Sequence, residues 1–252
     1  MSLRINKDSI FFILPEDRYS VSARIDGHMT NDFTLYLKVK INQEFLEVEK
    51  ENYMFSRNGM HSGISVFKDT NNECHAVYSW WILDNKSGKY EYTSVTHKIE
   101  NEDIDNLNEY VMICDNSVNN EIKCYFNNFL VGSISFKGTK KKQYEGAFYW
   151  FGCGSMICEE EHRQIGDFDF DTAFLLNKQI EMSEVDDIVK NYKSNEYTYE
   201  LFDGLRKFHG HYPLKDNFAF FCNFNQCTRY KIWDMTFSGN YPQIYIEDNI
   251  YF

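Results

Sequence analysis

Phe33-Thr34-Leu35-Tyr36-Leu37-Lys38-Val39-Lys40-Ile41 is the stretch that decides the fold. In an extended chain Phe33, Leu35, Leu37, Val39 and Ile41 share one face, and the mostly polar residues between them share the other. Side chains on a strand alternate with period two, so this pattern predicts a half-buried strand and not a helix. Outward from it the same signal recurs. Residues 63–67 place Ile64 and Val66 on one face, and residues 75–83 are rich in Val, Tyr and Trp. The latter run ends at the turn signal Asp84-Asn85-Lys86-Ser87-Gly88. Residues 110–114 and 122–126 flank a hairpin loop over 115–120. Asn127-Asn128 then predicts a tight turn into residues 129–136, because asparagine tolerates the left-handed backbone such turns require.

Residues 148–151 and Phe168–Leu176 continue the series, and Phe218–Asn223, 230–237 and 243–246 are further strand candidates. One helix is signalled, over 184–192. Ser183 is placed to cap it, its first turn is acidic, and Val185, Ile188, Val189 and Tyr192 form one apolar stripe. Many short strands, turn signals between them and almost no helix predict an all-β, two-sheet antiparallel β-sandwich with one short helix.

The chain has 252 residues, which suits a single domain over 1–252. It carries 26 Lys+Arg against 38 Asp+Glu, a formal net charge of -12. That balance argues against nucleic acid, whose phosphates demand a basic footprint, and against an anionic membrane surface. The longest apolar candidate, residues 10–14, is five residues, far short of a membrane span or a secretory leader. Seven cysteines, an odd number spread along the chain, fit reduced thiols and a cytoplasmic location, and export by another route is compatible with the same sequence. Aromatic residues make up 17% of the chain, but Phe, Tyr, Asn, Lys and Ile are all abundant, as coding bias alone would make them. Aromatic content by itself does not define a sugar-binding protein.

Two segments together carry a family resemblance. Glu109-Tyr110-Val111-Met112-Ile113-Cys114 and, after a loop, Ile122-Lys123-Cys124-Tyr125-Phe126-Asn127-Asn128-Phe129-Leu130-Val131-Gly132-Ser133 form the first. The second runs from Gly166 to Tyr192, with Phe170-Asp171, Leu175-Leu176-Asn177, Ile180 and Ser183-Glu184 as its marks. This chain resembles the concanavalin A-like lectin/glucanase superfamily, specifically its laminin-G-like branch, over roughly residues 15–193. Asn128 stands where that family usually has glycine. The resemblance implies a jelly roll with one convex and one concave sheet, and a role in binding or cleaving glycans, in binding proteins, or as a structural piece. Residues 194–252 lie outside it and are expected to complete or decorate the sandwich.

Hydrolases on this fold carry acids at alternate positions of one strand, and no E-x-D-x-E run is present. Asp167, Asp169 and Asp171 do alternate, with three readings: a solvated structural face, a Ca²⁺ site of hard oxygen ligands at the rim, or an acid and base pair. Trp80 and Trp81 share a strand with Tyr78 and His75. Neighbouring residues point to opposite faces, so one tryptophan enters the core and the other meets solvent or a partner. Exposed aromatic rings stack on the apolar faces of sugars while polar side chains bond their hydroxyls. The expected stacking residues are Tyr78, Trp80, Trp81 and Trp150; the expected polar contacts are His75, Asp84 and His211. Cys153/Cys158 and Cys222/Cys227 are spaced more widely than the commonest zinc pairs. The expected function is a non-catalytic, lectin-like glycan-binding protein or accessory domain of bacterial polysaccharide metabolism. Its rivals are a glycan-active enzyme with acids from separate strands and a protein–protein assembly module.

Overall fold

The alternation along residues 33–41 is realised: Phe33, Leu35, Leu37, Val39 and Ile41 are buried in one core, while Lys38 and Lys40 are half-buried on the other side. The computed structural model describes residues 3–5, 9–13, 32–57, 62–83, 87–135, 149–152, 166–193, 198–202, 205–209, 218–223, 242–246 and 249–251. In chain order the strands begin β1 (Leu3–Ile5), β2 (Ser9–Ile13), β3 (Phe33–Ile41), β4 (Asn52–Arg57), β5 (Ser62–Lys68), β6 (Cys74–Leu83) and β7 (Tyr90–Ile99). They continue as β8 (Asn108–Asp115), β9 (Glu121–Phe126), β10 (Phe129–Ser135), β11 (Tyr149–Phe151) and β12 (Phe168–Leu176). The last are β13 (Thr198–Phe202), β14 (Leu205–His209), β15 (Phe218–Asn223), β16 (Pro242–Ile246) and β17 (Asn249–Tyr251). The helices are α1 (Asn101–Ile104) and α2 (Met182–Lys193).

Two antiparallel sheets face each other. The first has the order β1-β12-β3-β8-β9-β10, with β15 also paired to β12; the second has the order β17-β16-β2-β11-β4-β5-β6-β7. A separate hairpin joins β13 and β14. The all-β sandwich is therefore confirmed, with two short helices where one was expected; α1 occupies a stretch too polar to be read as an element. Strand β15 extends the first sheet and β16–β17 extend the second, so part of the region beyond residue 193 joins the sandwich. The strand expected over 230–237 lies outside the described residues.

The core is made by both inner faces. Phe33 of β3 stacks on Trp80 of β6 with centroids 5.2 Å apart, and Phe151 of β11 meets Phe170 of β12 edge-on at 5.8 Å. Each fully buried ring of this kind contributes on the order of 2–3 kcal/mol through apolar burial. Tyr78 of β6 donates its hydroxyl to the Tyr125 carbonyl of β9 at 2.7 Å, which satisfies the polar end of a buried ring. Gly132 of β10 lies where a Cβ would come within 2.7 Å of Val95 Cγ1 on β7, so the edges of the two sheets close tightly there.

The turn at Asn127-Asn128 takes the expected form, with φ of 45° and 69°. Gly63 has a steric origin: a Cβ there would stand 2.0 Å from the Phe55 carbonyl oxygen of β4. The α2 stripe of Val185, Ile188 and Val189 packs on Tyr36, Val111, Ile113, Phe174 and Leu176, the outer face of the first sheet. The helix begins at Met182, so Ser183 lies inside its first turn and not at the cap expected for it. Instead the Glu181 backbone N–H donates to the Glu184 carboxylate at 2.9 Å, the returning half of a capping box. No helix among the described residues is long and apolar enough to cross a membrane.

Candidate functional site

On β6 the inner row is Cys74, Ala76, Tyr78, Trp80 and Ile82, all in the core. His75, Val77, Ser79 and Trp81 consequently face outward. Pairing registers extend this outer row across the sheet: Tyr53 of β4 opposes Ser65 of β5, Ser65 opposes Val77, and Gly63 opposes Ser79. On β7, Ser94 opposes Ser79 and Tyr92 opposes Trp81. The result is a polar and aromatic patch, bounded at one end by the Trp81–Tyr92 pair.

A hydrogen-bonded floor lies beneath that pair. Ser65 Oγ donates to the Glu51 carboxylate. The Ser79 hydroxyl interacts with both the Tyr53 and the Tyr92 phenols, and Ser94 also reaches Tyr92. Burial, and after it the negative charge of Glu51, holds both phenols above the ordinary tyrosine range. Tyr53, Ser65 and Ser79 are fully buried, whereas Tyr92 is 43% exposed.

Trp81 is half-buried and meets Tyr92 edge-on, with centroids 5.7 Å apart and planes at 63°. Its backbone N–H donates to Ser62 Oγ at 3.3 Å. Its indole Nε1 is buried without a hydrogen-bond partner. A buried donor left unpaired costs free energy, commonly about 1–3 kcal/mol, so an acceptor supplied by a ligand would be favoured there. At the surface the site presents the Tyr92 ring and hydroxyl, Ser94 and the half-buried Trp81 and Glu51, over a buried network of Tyr53, Ser65 and Ser79 in which the indole N–H is unpaired.

The other expected residues fall elsewhere. Trp80, 2% exposed, and Tyr78, fully buried, belong to the core; contrary to expectation, neither presents a face to a sugar. The tryptophan alternation holds, with Trp80 inward and Trp81 outward. His75 shares the outer row but stands six positions from Trp81, roughly 20 Å along the strand. It joins a different cluster, in which the ligand atoms of Asp69, Glu73 and His75 lie within 4.8 Å of one another. That cluster is engaged internally. Asp69 accepts backbone N–H bonds from Asn71 and Glu73 and meets His75 Nε2 at 3.2 Å, while Glu73 takes Lys98 Nζ at 2.6 Å. Backbone bonding to Glu73 is the leading cause that lowers the Asp69 pKa.

Asp167, Asp169 and Asp171, with their three readings of solvated face, Ca²⁺ site or acid and base, each have their own surroundings. Among the described residues no cluster of three potential ligands includes Asp167, Asp169 or Asp171. Asp167 precedes β12 and accepts a bond from Asn42 Nδ2 at 2.8 Å. Asp169 lies in register between Arg4 of β1 and Lys40 of β3. Asp171 falls at the break in the β12–β3 register and accepts from Thr172 Oγ1 at 3.1 Å. Trp150 pairs with Ser56 and Phe12 through its backbone in β11, but its side chain lies outside the described residues, as do Asp84 and His211. The side chains of Cys153, Cys158, Cys222 and Cys227 also lie outside them.

Tyr92, Tyr53, Glu51, Ser65 and Ser79 are not singled out by the sequence. The one signal it offers is Trp81 on a strand followed by a turn, which makes the next strand supply its cross-strand neighbour.

No family model matches the chain, and no curated protein does. Solved structures do resemble it. The botulinum neurotoxin serotype C1 binding domain is 8% identical, with a TM-score of 0.50, over 88% of this chain and 57% of that one. The binding domain of botulinum neurotoxin DC in complex with SialylT is 11% identical, with a TM-score of 0.49, over 79% and 43%. The Ruminococcus gnavus IT-sialidase CBM40 is 8% identical, with a TM-score of 0.45, over 75% and 95%. The chain thus spans about half the length of these neurotoxin binding domains. At such identities the likeness bears on fold alone.

Proposed function

We propose that this chain is a non-catalytic, lectin-like carbohydrate-binding protein or an accessory domain of bacterial polysaccharide metabolism, built on the laminin-G-like variant of the sandwich. The observation that carries this reading is the Trp81–Tyr92 pair over a floor of hydroxyls, with the indole N–H unpaired. Ring surface beside convergent polar groups is the composition a pyranose requires, since its C–H face is apolar and its rim is hydroxylated. A single shallow site of this type binds weakly, and repetition of the module would raise avidity. The test is a glycan array followed by calorimetry on the hits. Trp81→Ala is expected to weaken binding at least about tenfold, while the circular dichroism spectrum is retained. Hits whose affinity is unchanged by Trp81→Ala would defeat the reading.

A protein partner is the second reading, favoured by a different surface. Phe129 and Leu130, 75% and 58% exposed, begin β10, which ends the first sheet's strand order. Exposed apolar groups on an edge strand commonly mark a contact surface. Its test is co-purification of a protein complex that persists in excess sugar and is lost in Phe129→Ser.

A further inference from the structure

We infer that the Trp81–Tyr92 site is selective for neutral glycans and discriminates against anionic ones such as sialylated or uronate-containing chains. The inference rests on the sugar-binding reading above and adds the charge class of its ligand. Glu51 is the carboxylate of the floor: it accepts the Ser65 hydroxyl and lies close enough to help raise both the Tyr53 and Tyr92 phenols. The half-buried carboxylate and the exposed Tyr92 phenol serve well as acceptors for sugar hydroxyls and poorly as hosts for a second carboxylate.

Among the described residues, the strands that build the patch bring no compensating cation to it. Arg57 of β4 shares the row of Phe55 and opposes Ser62, which places it by register on the inner side. Lys50, next to Glu51 in the chain, donates to the Glu47 carboxylate at 3.0 Å. Lys68 of β5 donates to the Gln43 carbonyl, and Lys98 of β7 is held by Glu73 at the far end of the sheet. Lys89 is exposed just ahead of β7, three positions from Tyr92. Over the whole chain the net charge is -12, so the background potential also opposes an anionic ligand. The unpaired indole N–H is a single neutral donor. It suits a ring or hydroxyl oxygen and cannot neutralise a carboxylate.

The experiment pairs neutral oligosaccharides with their sialylated or uronate counterparts on one array, and measures each pair by calorimetry against the wild type, Glu51→Gln and Trp81→Ala. The amide introduced by Glu51→Gln keeps an acceptor for Ser65 while removing the charge. In the wild type each neutral member is expected to bind about tenfold or more tightly than its anionic counterpart. Glu51→Gln is expected to narrow that gap severalfold, chiefly by improving the anionic member. Anionic chains that bind as well as neutral ones, or a gap untouched by Glu51→Gln, would overturn the selectivity. If those same glycans are lost in Trp81→Ala, the sugar-binding reading survives that result. An array without a single hit overturns both.

Discussion

The outer faces of the two sheets flank one core and are finished differently. On the first sheet Tyr36, Val111, Ile113, Phe174 and Leu176 are apolar or aromatic and are sealed by α2. On the second, the equivalent rows carry Tyr53, Ser65, Ser79, Trp81, Tyr92 and Ser94, linked by hydroxyls and one carboxylate. The first face is closed by apolar contact with a helix, whereas the second buries hydroxyls that bond one another and leaves Tyr92 and Ser94 exposed at its edge.

The sharpest way to break this contrast is to damage the sealed face. Phe174 is buried and stacked on Tyr36 with centroids 4.9 Å apart, so Phe174→Ala is expected to cost about 3–5 kcal/mol of stability. Urea denaturation measures it, and glycan affinity of the folded fraction should stay within about twofold. Trp81→Ala should invert the pattern, with no more than about 1–2 kcal/mol lost in the same denaturation series, because the ring is only half-buried. A larger loss would make the Trp81 face structural as well. Glu184→Ala removes the bond to the Glu181 N–H and should cost about 0.5–1 kcal/mol, visible as faster amide exchange in the first turn of α2.

The smallest effect concerns pH. Burial, then Glu51, holds the Tyr92 phenol above its ordinary value near 10. Because the folded pKa exceeds the unfolded one, this contribution to stability is complete below about pH 10 and fades as pH climbs through the folded value. Phenolate absorbance should show a late-titrating tyrosine that returns toward the ordinary range in Glu51→Gln. Unchanged titration would detach Glu51 from the site.

Strands β3, β6 and β12 are legible in the sequence because their alternation or aromatic content is uninterrupted, and the expected bounds of β12 and β15 hold to the residue. Strand β4 escapes a sequence reading because a register shift puts adjacent Met54 and Phe55 both into the core. Strand β7 escapes it because it ends its sheet, where Tyr92, Ser94 and Thr96 are exposed and the period is diluted. At the site, the sequence supplies Trp81 and the rule of opposite faces. It does not say which tryptophan enters the core, nor bring Glu51 and Tyr92 together, because strand register is a non-local property.

Gly63 carries one more lesson. It sits in the outer row beside Ser79, yet what confines it is the Phe55 carbonyl lying where a side chain would begin. In a saturation library screened for ligand capture, this codon will behave like a contact position, with nearly every replacement eliminated. Scoring the same library for surface display of intact protein separates the two causes: Gly63 variants vanish from both selections, whereas changes at Trp81 vanish only from the first.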